Sequence, residues 1–499
     1  MIMNELRFLF RVDATAETGL GHYTRSFALA EYLSYNFSCF FLMFNPIVEV
    51  ESNLINSEIK LIKLDSNNSE DQIKYLKDNV LRENDILIFD GYNFDSDYIK
   101  SIKNTFDNYT ILIDDIYLNF QHCNLIINTA GNSTIDKYNC QENTTFCLGL
   151  SYSLLRKSFL EQAKLQREIS NIDTIFICLG GADLNNITLE VLKSVLSIEK
   201  KFKVHVVVGG AYQYLDSLNL FIKTVFSNSI VYLHRNLSAE EIKNLIIESQ
   251  IAICSSSVIL SECYSVGLFV ISGYYIENQF QTYEFAKSNN LIYPIGDLNN
   301  LNKLNLKSII EDITIDNVNQ MIQLQKSVID GSSLKRLQKK IIQSYFDSSL
   351  ICRKANKEDI YNYFELVNDS EVRKSSINTE IILFENHEKW FTGRILSPNT
   401  YMFAFYLKQT FVGQVRFDKN ENNNFIIDYS ICAPYRGLGL GFILLKKSIN
   451  QLKNYKLQHA KLVAEVKLDN FSSNKTMLNL GFELQATTDL INQYTYDIK

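Results

Sequence analysis

Three stretches concentrate side chains able to do chemistry. In "RVDATAETGLGHYTR" (11–25), His22 lies between a Gly-x-Gly turn and a helical apolar period, with Arg11, Asp13, Gly19, Gly21 and Arg25 close by in sequence. At a helix start the dipole disfavours imidazolium, leaving a neutral ring able to take a proton. The same pattern fits a plain turn histidine, and Asp13 with Arg25 fits a structural ion pair equally well. In "CSSSVILSECYSVG" (254–267), Ser256 and Ser257 open a helix that can hold a diphosphate on its first N–H groups. Glu262, further along, is placed to accept from ribose hydroxyls, with Gly181 in "LGGAD" and Asn278–Gln279 at neighbouring strand ends. In "APYRGLGLGFILLKKSI" (433–449), Arg436 and Gly437, Gly439 and Gly441 precede a strongly apolar helix, a second anion-binding pattern.

Apolar runs must position these residues. "RFLFRV" (7–12), "DILIFD" (85–90), "YTILID" (109–114) and "NLIIN" (124–128) read as buried parallel strands separated by helices. The pattern restarts with "TIFICLG" (174–180), "KVHVVVGG" (203–210), "SIVYLH" (229–234), "IAICSS" (251–256) and "LFVISG" (268–273). Two such series predict two doubly wound halves, 1–150 and 151–346, facing each other across a cleft. Ser238 with Glu241 predicts a capping box, and Gly267 a helix C-cap. A closing helix over 330–346 leads to "DSSL" (347–350), read as the linker. From 351 to 499, closely spaced strands "TYMFAFYL", "FVGQVRFD" and "NFIIDYSI" mixed with helices predict an α+β domain.

The totals narrow the class. At 499 residues with 46% hydrophobic and 21% charged residues, the chain can fill two or three cores. A net charge of -7 without a basic run argues against nucleic-acid binding. Nine cysteines without a C-x-x-C spacing suit a reducing compartment. No leader-like opening and no membrane-length apolar run is seen, so the expectation is a cytoplasmic protein with no membrane partner. No His/Cys/Asp cluster has metal-ligand spacing, so no metal is expected.

Two resemblances follow from these motifs. Segment 351–499 resembles the GNAT acetyltransferase superfamily, through Arg436, Gly439 and Gly441 of its R/Q-x-x-G-x-G/A loop and through "NFSSNKTMLNLGF", where Asn470, Ser473, Gly481 and Phe482 fit a late N-x-x-S…G-F pattern. The resemblance implies acetyl-CoA as co-substrate, held at Arg436, Gly437, Gly439, Gly441, Asn470 and Ser473. Met477 stands where many members place a tyrosine that protonates the leaving thiolate, and a thioether donates no proton. Another group or water then serves, or the domain is only a binding module; positioning alone supplies much of an acyl transfer. Glu465 is a candidate base or a solvated strand glutamate. His387 and Trp390 resemble the helix lining the acceptor pocket of sugar-amine acetyltransferases, although Trp390 alone reads as core.

Residues 6–345 resemble the GT-B-like nucleotide-sugar family, and within it the UDP-sugar hydrolases of pseudaminic acid biosynthesis. The carriers are "RVDATAETGLGHYTR", "FDGYNFD", "IDD" (113–115), "SYSLLRKSF", "CLGGADLNNIT" and "SSSVILSE…NQ", with Thr15 where serine is usual. This implies His22 as the base that activates water, Asp13, Tyr92, Asn278 and Gln279 on the sugar or phosphates, and Glu262 on the uridine ribose. Together the resemblances imply an enzyme that N-acetylates a UDP-linked amino sugar and hydrolyses the product. The alternative is glycosyl transfer from a UDP-sugar to an acceptor other than water.

Overall fold

The structure, a computed structural model, describes every residue except 1–5, 15–19, 118–121, 141, 182, 226–228, 304, 377–378, 423, 456–460 and 499. Thr15 and Gly19 lie outside the described residues. Met3–Gln338 forms one compact unit and Lys339–Lys499 falls in another.

The larger unit holds two all-parallel sheets. The first comprises β1 (Arg7–Val12), β2 (Ser38–Phe44), β3 (Lys60–Leu64), β4 (Ile86–Asp90), β5 (Tyr109–Ile113), β6 (Leu125–Asn128) and β7 (Thr145–Leu148), in the order β3-β2-β1-β4-β5-β6-β7. The second comprises β8 (Thr174–Cys178), β9 (Lys203–Val208), β10 (Ile230–Arg235), β11 (Ile251–Ser255), β12 (Phe269–Tyr274) and β13 (Tyr293–Asp297), in the order β10-β9-β8-β11-β12-β13. The continuous apolar runs become central strands, as parallel sheets covered on both faces require. The capping box at Ser238 and the Gly267 C-cap both form.

Charge inside these strands is paired, because an unpaired buried charge is costly. Every residue of β1 is buried, including Arg7, whose guanidinium donates from Nε and Nη2 to Asp85 at 2.7 and 2.6 Å. Arg11 pairs with Asp13 and also donates to Gln72 Oε1 at 3.2 Å. Arg167 donates to the carbonyls of Gly267, Ile247 and Ser249, satisfying groups that helix ends leave open.

The smaller unit is a mixed sheet with helices. Its strands are β14 (Leu350–Lys354), β15 (Thr400–Leu407), β16 (Thr410–Lys419), β17 (Phe425–Ile431), β18 (Lys461–Lys467), β19 (Glu483–Thr487) and β20 (Ile491–Asp497), in the order β14-β15-β16-β17-β18-β20-β19. All pairs are antiparallel except β17 with β18, which pair in parallel through Phe425↔Leu462 and Ile426↔Val463. The expected linker is not a loop. Helix Ser333–Ser349 runs through "DSS", and β14 starts at the next residue, Leu350.

The Arg7–Asp85 pair yields a stability prediction. Asp85→Ala leaves a buried guanidinium without its carboxylate and is expected to cost about 3–5 kcal/mol. Urea unfolding of the full chain measures it; a loss under 1 kcal/mol contradicts the assignment.

Candidate active sites

In the first sheet, β1 and β4 are neighbours where the strand order reverses, and their carboxyl ends meet there. Ligands of such sheets bind beyond those ends. Helix Gly21–Ser34 starts at this point, with Ala28, Leu29, Ala30 and Leu33 buried. His22 and Arg25, three residues apart, share one side of it.

Both converge on Asp90, the last residue of β4, which has no exposed surface. His22 Nδ1 lies 2.8 Å from Asp90 Oδ1, Arg25 donates to both carboxylate oxygens at 2.6 and 2.9 Å, and Ser26 Oγ donates at 2.7 Å. Two lone pairs would repel at 2.8 Å, so Nδ1 carries a proton and donates to Asp90, and Nε2 stays outside this bond. The contact of Arg25 Nη2 with Nδ1 at 2.9 Å is then a close approach, its hydrogen going to Asp90. Burial alone would raise the Asp90 pKa. Arg25 and His22 outweigh it and hold the carboxyl at about 2. Burial opposes the charge on Arg25 as well, but Asp90 and Asp115 raise its pKa further.

Arg25 Nη1 donates to Asp115 at 2.8 Å, and the Tyr92 hydroxyl donates to the same oxygen at 3.3 Å. Burial and Asp115 push the Tyr92 phenol up to about 12. Tyr92 meets the His22 ring edge-on at 4.7 Å. Asp90 and Asp115 were given no role in the sequence, although both lie in quoted motifs: Asp90 ends β4 within "FDGYNFD", and Asp115 is the last residue of "IDD", two past the end of β5. Asp13 is bound to Arg11 and accepts from Phe44 N–H at 3.3 Å, so the alternative of a structural pair with Arg25 does not form.

The second sheet reaches the same cleft. Asn278 Nδ2 donates to the Tyr92 hydroxyl at 2.8 Å, bridging the two halves, and Asn132 Nδ2 donates to Gln281 at 2.8 Å. Helix Val258–Val266 begins at Ser257, with no side chain capping its N–H groups. Gly21 and Gly181 both border open space. Three expected contacts are turned inward. Ser256 is buried with its hydroxyl on Ser272 at 3.0 Å. Glu262 is buried, and Arg156 holds both of its oxygens at 2.7 and 2.8 Å. Gln279 is buried and accepts from Tyr275 N–H at 3.2 Å. Ser257 is half-buried with its hydroxyl 3.0 Å from that of Ser255, and Asn278 is half-buried against Tyr92.

The smaller unit presents a different cavity wall. Beyond Ile426 and Val463 no pairing joins β17 to β18 among the described residues, so the parallel strands part. The loop after β17 takes Gly437 and Gly439 through φ of 79° and 77°, a conformation that side chains disfavour, before helix Leu440–Lys453. Arg436 is committed to Asp369 at 2.7 Å and to the Ile431 carbonyl at 2.9 Å rather than standing free. Asn470 caps helix Phe471–Asn479 by accepting from Ser473 N–H at 3.1 Å. Glu465 is exposed on β18, 3.3 Å from Gln493 Nε2. His387 is a core residue, contrary to its expected place in a pocket wall. It is 2% exposed, packed among Phe364, Trp390 and Phe391, and bonded to the Ile360 carbonyl at 3.2 Å. Trp390 packs on that core beneath Arg416, 5.0 Å from its ring centre.

Residues 349–483 match the acetyltransferase (GNAT) domain family. The N-terminal half is homologous to a sugar-nucleotide hydrolase, so the chain joins a UDP-sugar hydrolase homologue to a GNAT acetyltransferase domain. That relative is the UDP-2,4-diacetamido-2,4,6-trideoxy-beta-L-altropyranose hydrolase of Campylobacter jejuni, 26% identical over 289 residues, covering 56% of this chain and 94% of the hydrolase. An uncharacterized protein of Methanocaldococcus jannaschii is 24% identical over 508 residues, spanning 97% of this chain and 98% of its own. Among solved structures, spermidine N-acetyltransferase from Vibrio cholerae, in complex with CoA and spermine, aligns at 14% identity and TM-score 0.28, over 30% of this chain and 96% of that one.

The Asp90 cluster sets a pH-dependent contribution to stability. Its folded pKa of about 2 lies below the ordinary value of 3.8, so the charged form stabilises the fold above about pH 4, and this is lost as pH falls through about 2. That part amounts to about 2 kcal/mol. Asp90→Asn is therefore expected to lower unfolding free energy most at neutral pH, with the gap from the native chain narrowing on acidification. A gap independent of pH contradicts the assignment.

Proposed function

We propose that this chain carries out two reactions on one nucleotide sugar. The larger unit, read as a GT-B-like pair of halves, hydrolyses a UDP-2,4-diacetamido-2,4,6-trideoxy-altropyranose with inversion. The smaller unit transfers acetyl from acetyl-CoA to the 4-amino group of its UDP-linked precursor. The observation that carries the hydrolase reading is the His22–Asp90 contact at the mouth of a cleft that Tyr92 and Asn278 span.

In hydrolysis, His22 Nε2 takes a proton from water as its oxygen attacks the anomeric carbon. Asp90 is a positioning residue: it fixes the tautomer and stabilises the imidazolium that forms. The bond to the diphosphate breaks with its electrons on oxygen. The N-terminus of helix Val258–Val266 and Ser257 accept that charge without reorganising. Arg25 is occupied by two carboxylates and serves the cluster rather than the phosphates. Tyr92 and Asn278 reach the sugar from opposite walls. Buried Glu262, locked to Arg156, reaches a ribose only through movement of that pair.

For acetyl transfer, the parted strands β17 and β18 leave backbone groups to receive the thioester arm, and the glycine loop presents N–H groups to the diphosphate. Glu465, exposed on the opening strand, is the candidate base for the amine. Acetylation precedes hydrolysis, since the hydrolysed sugar is the diacetamido form.

The test uses the purified full chain. With the UDP-diacetamido sugar and no added acceptor, UDP and free sugar are expected at a steady rate; a requirement for an acceptor sugar would instead establish a glycosyltransferase. His22→Ala is expected to abolish UDP release, and Asp90→Asn to lower kcat about 100-fold or more. With the UDP-4-amino precursor and acetyl-CoA, free CoA thiol is expected in step with amide formation. No amino-sugar-dependent thiol would mark the smaller unit as a binding module.

A further inference from the structure

Acetyl transfer from a thioester ends with a thiolate that must gain a proton, and Met477, 1% exposed in helix Phe471–Asn479, offers none. A different proton source lies nearby. Tyr429 stands on β17 beyond the last residue paired with β18, on the stretch where the two strands part. Its hydroxyl is 2.8 Å from Ser473 Oγ, in the first turn of helix Phe471–Asn479. On its other side the phenol lies against Gly441: a Cβ built there would sit 3.1 Å from Tyr429 Cε2 and 3.4 Å from its oxygen. The phenol is therefore wedged between the first turns of the two helices that flank the opening. One of these follows the glycine loop and the other carries Met477.

Resting on the acetyltransferase reading above, we propose that Tyr429, hydrogen-bonded to Ser473, supplies the proton to the leaving thiolate. The amine nitrogen attacks the thioester carbonyl carbon, forming the C–N bond. The C–S bond then breaks with its electron pair on sulfur, and sulfur takes the phenolic proton. The nitrogen's own proton leaves to base or water, and Tyr429 is reprotonated from solvent through Ser473, so one proton leaves nitrogen for each one gained by sulfur. Burial, the dominant influence on Tyr429, raises its pKa and keeps the phenol protonated until the thiolate forms; the hydroxyls of Ser473 and Thr476 act in the opposite direction. The groups facing the phenol are these two hydroxyls and Gly441. Gly441 fits the same scheme, since a side chain there would press on the ring.

The test measures CoA release from acetyl-CoA and the UDP-4-amino sugar by the full chain. Tyr429→Phe keeps the ring and removes the proton, and is expected to lower kcat about 100-fold with KM for acetyl-CoA unchanged. Placing 2,3,5-trifluorotyrosine at 429 acidifies the phenol and is expected to move the basic limb of the kcat–pH profile to lower pH. A packing role for the ring predicts an unmoved limb, so that outcome overturns the proposal. Full activity of Tyr429→Phe overturns it too, as does a loss that appears only in KM. If the unmodified chain releases no thiol with the amino sugar, the acetyltransferase reading itself falls and this proposal with it.

Discussion

A carboxylate with no access to water organises the larger unit's site. Asp90 ends a fully buried strand, and its charge is tolerable only because Arg25, His22 and Ser26 surround it. Each partner is fixed by what it gives to Asp90. Arg25 is drawn to the carboxyl end of β4, and His22 is left with Nε2 outside the contact. Asp115 extends the network to Tyr92, and Asn278 carries it to the opposite wall. The His22 ring and the Tyr92–Asn278 bridge therefore share one electrostatic origin.

The two units use the same parts in different arrangements. In each, a strand ends, small residues let the backbone turn, and a helix begins with free N–H groups. In the larger unit these helix starts lie beyond parallel sheets at the point where strand order reverses. In the smaller unit the opening lies within the sheet, where β17 and β18 part. Side chains close to the helix starts are mostly engaged already, as Ser256, Glu262, Arg436 and Asn470 show. On the proposed reading, recognition of phosphate therefore falls to the backbone.

Much of this architecture was legible in the sequence because buried parallel strands are written as continuous apolar runs. The strands at β1, β4, β8 and β11 fall within about two residues of the runs that announce them. Two edge strands, β13 and β19, were not legible for the complementary reason. β13 contains Pro294 and opens with two exposed residues, and β19 is exposed along its whole length, so neither carries an apolar pattern. The linker was misread because serines and aspartate suit a helix end as well as a loop. For the site, His22 stood out by residue type and position, whereas Asp90, within "FDGYNFD", lies 68 residues away and was given no role. Only the fold brings them together. Glu262 and His387 were misplaced because residue type says what a side chain can bind and nothing about which neighbour reaches it first.

The gap between β17 and β18 has a consequence for the stability of the smaller unit. Two strands that start a ladder and then separate leave main-chain donors and acceptors in the middle of a sheet, where other sheets have a continuous ladder. A guest with amide groups that settles there completes the ladder, so its binding free energy is also folding free energy. At a hundred times its dissociation constant such a guest adds about 2.7 kcal/mol. On the acetyl-transfer reading proposed above, the unit's resistance to unfolding is set in part by its supply of acyl carrier, which acts as a removable strand of the fold.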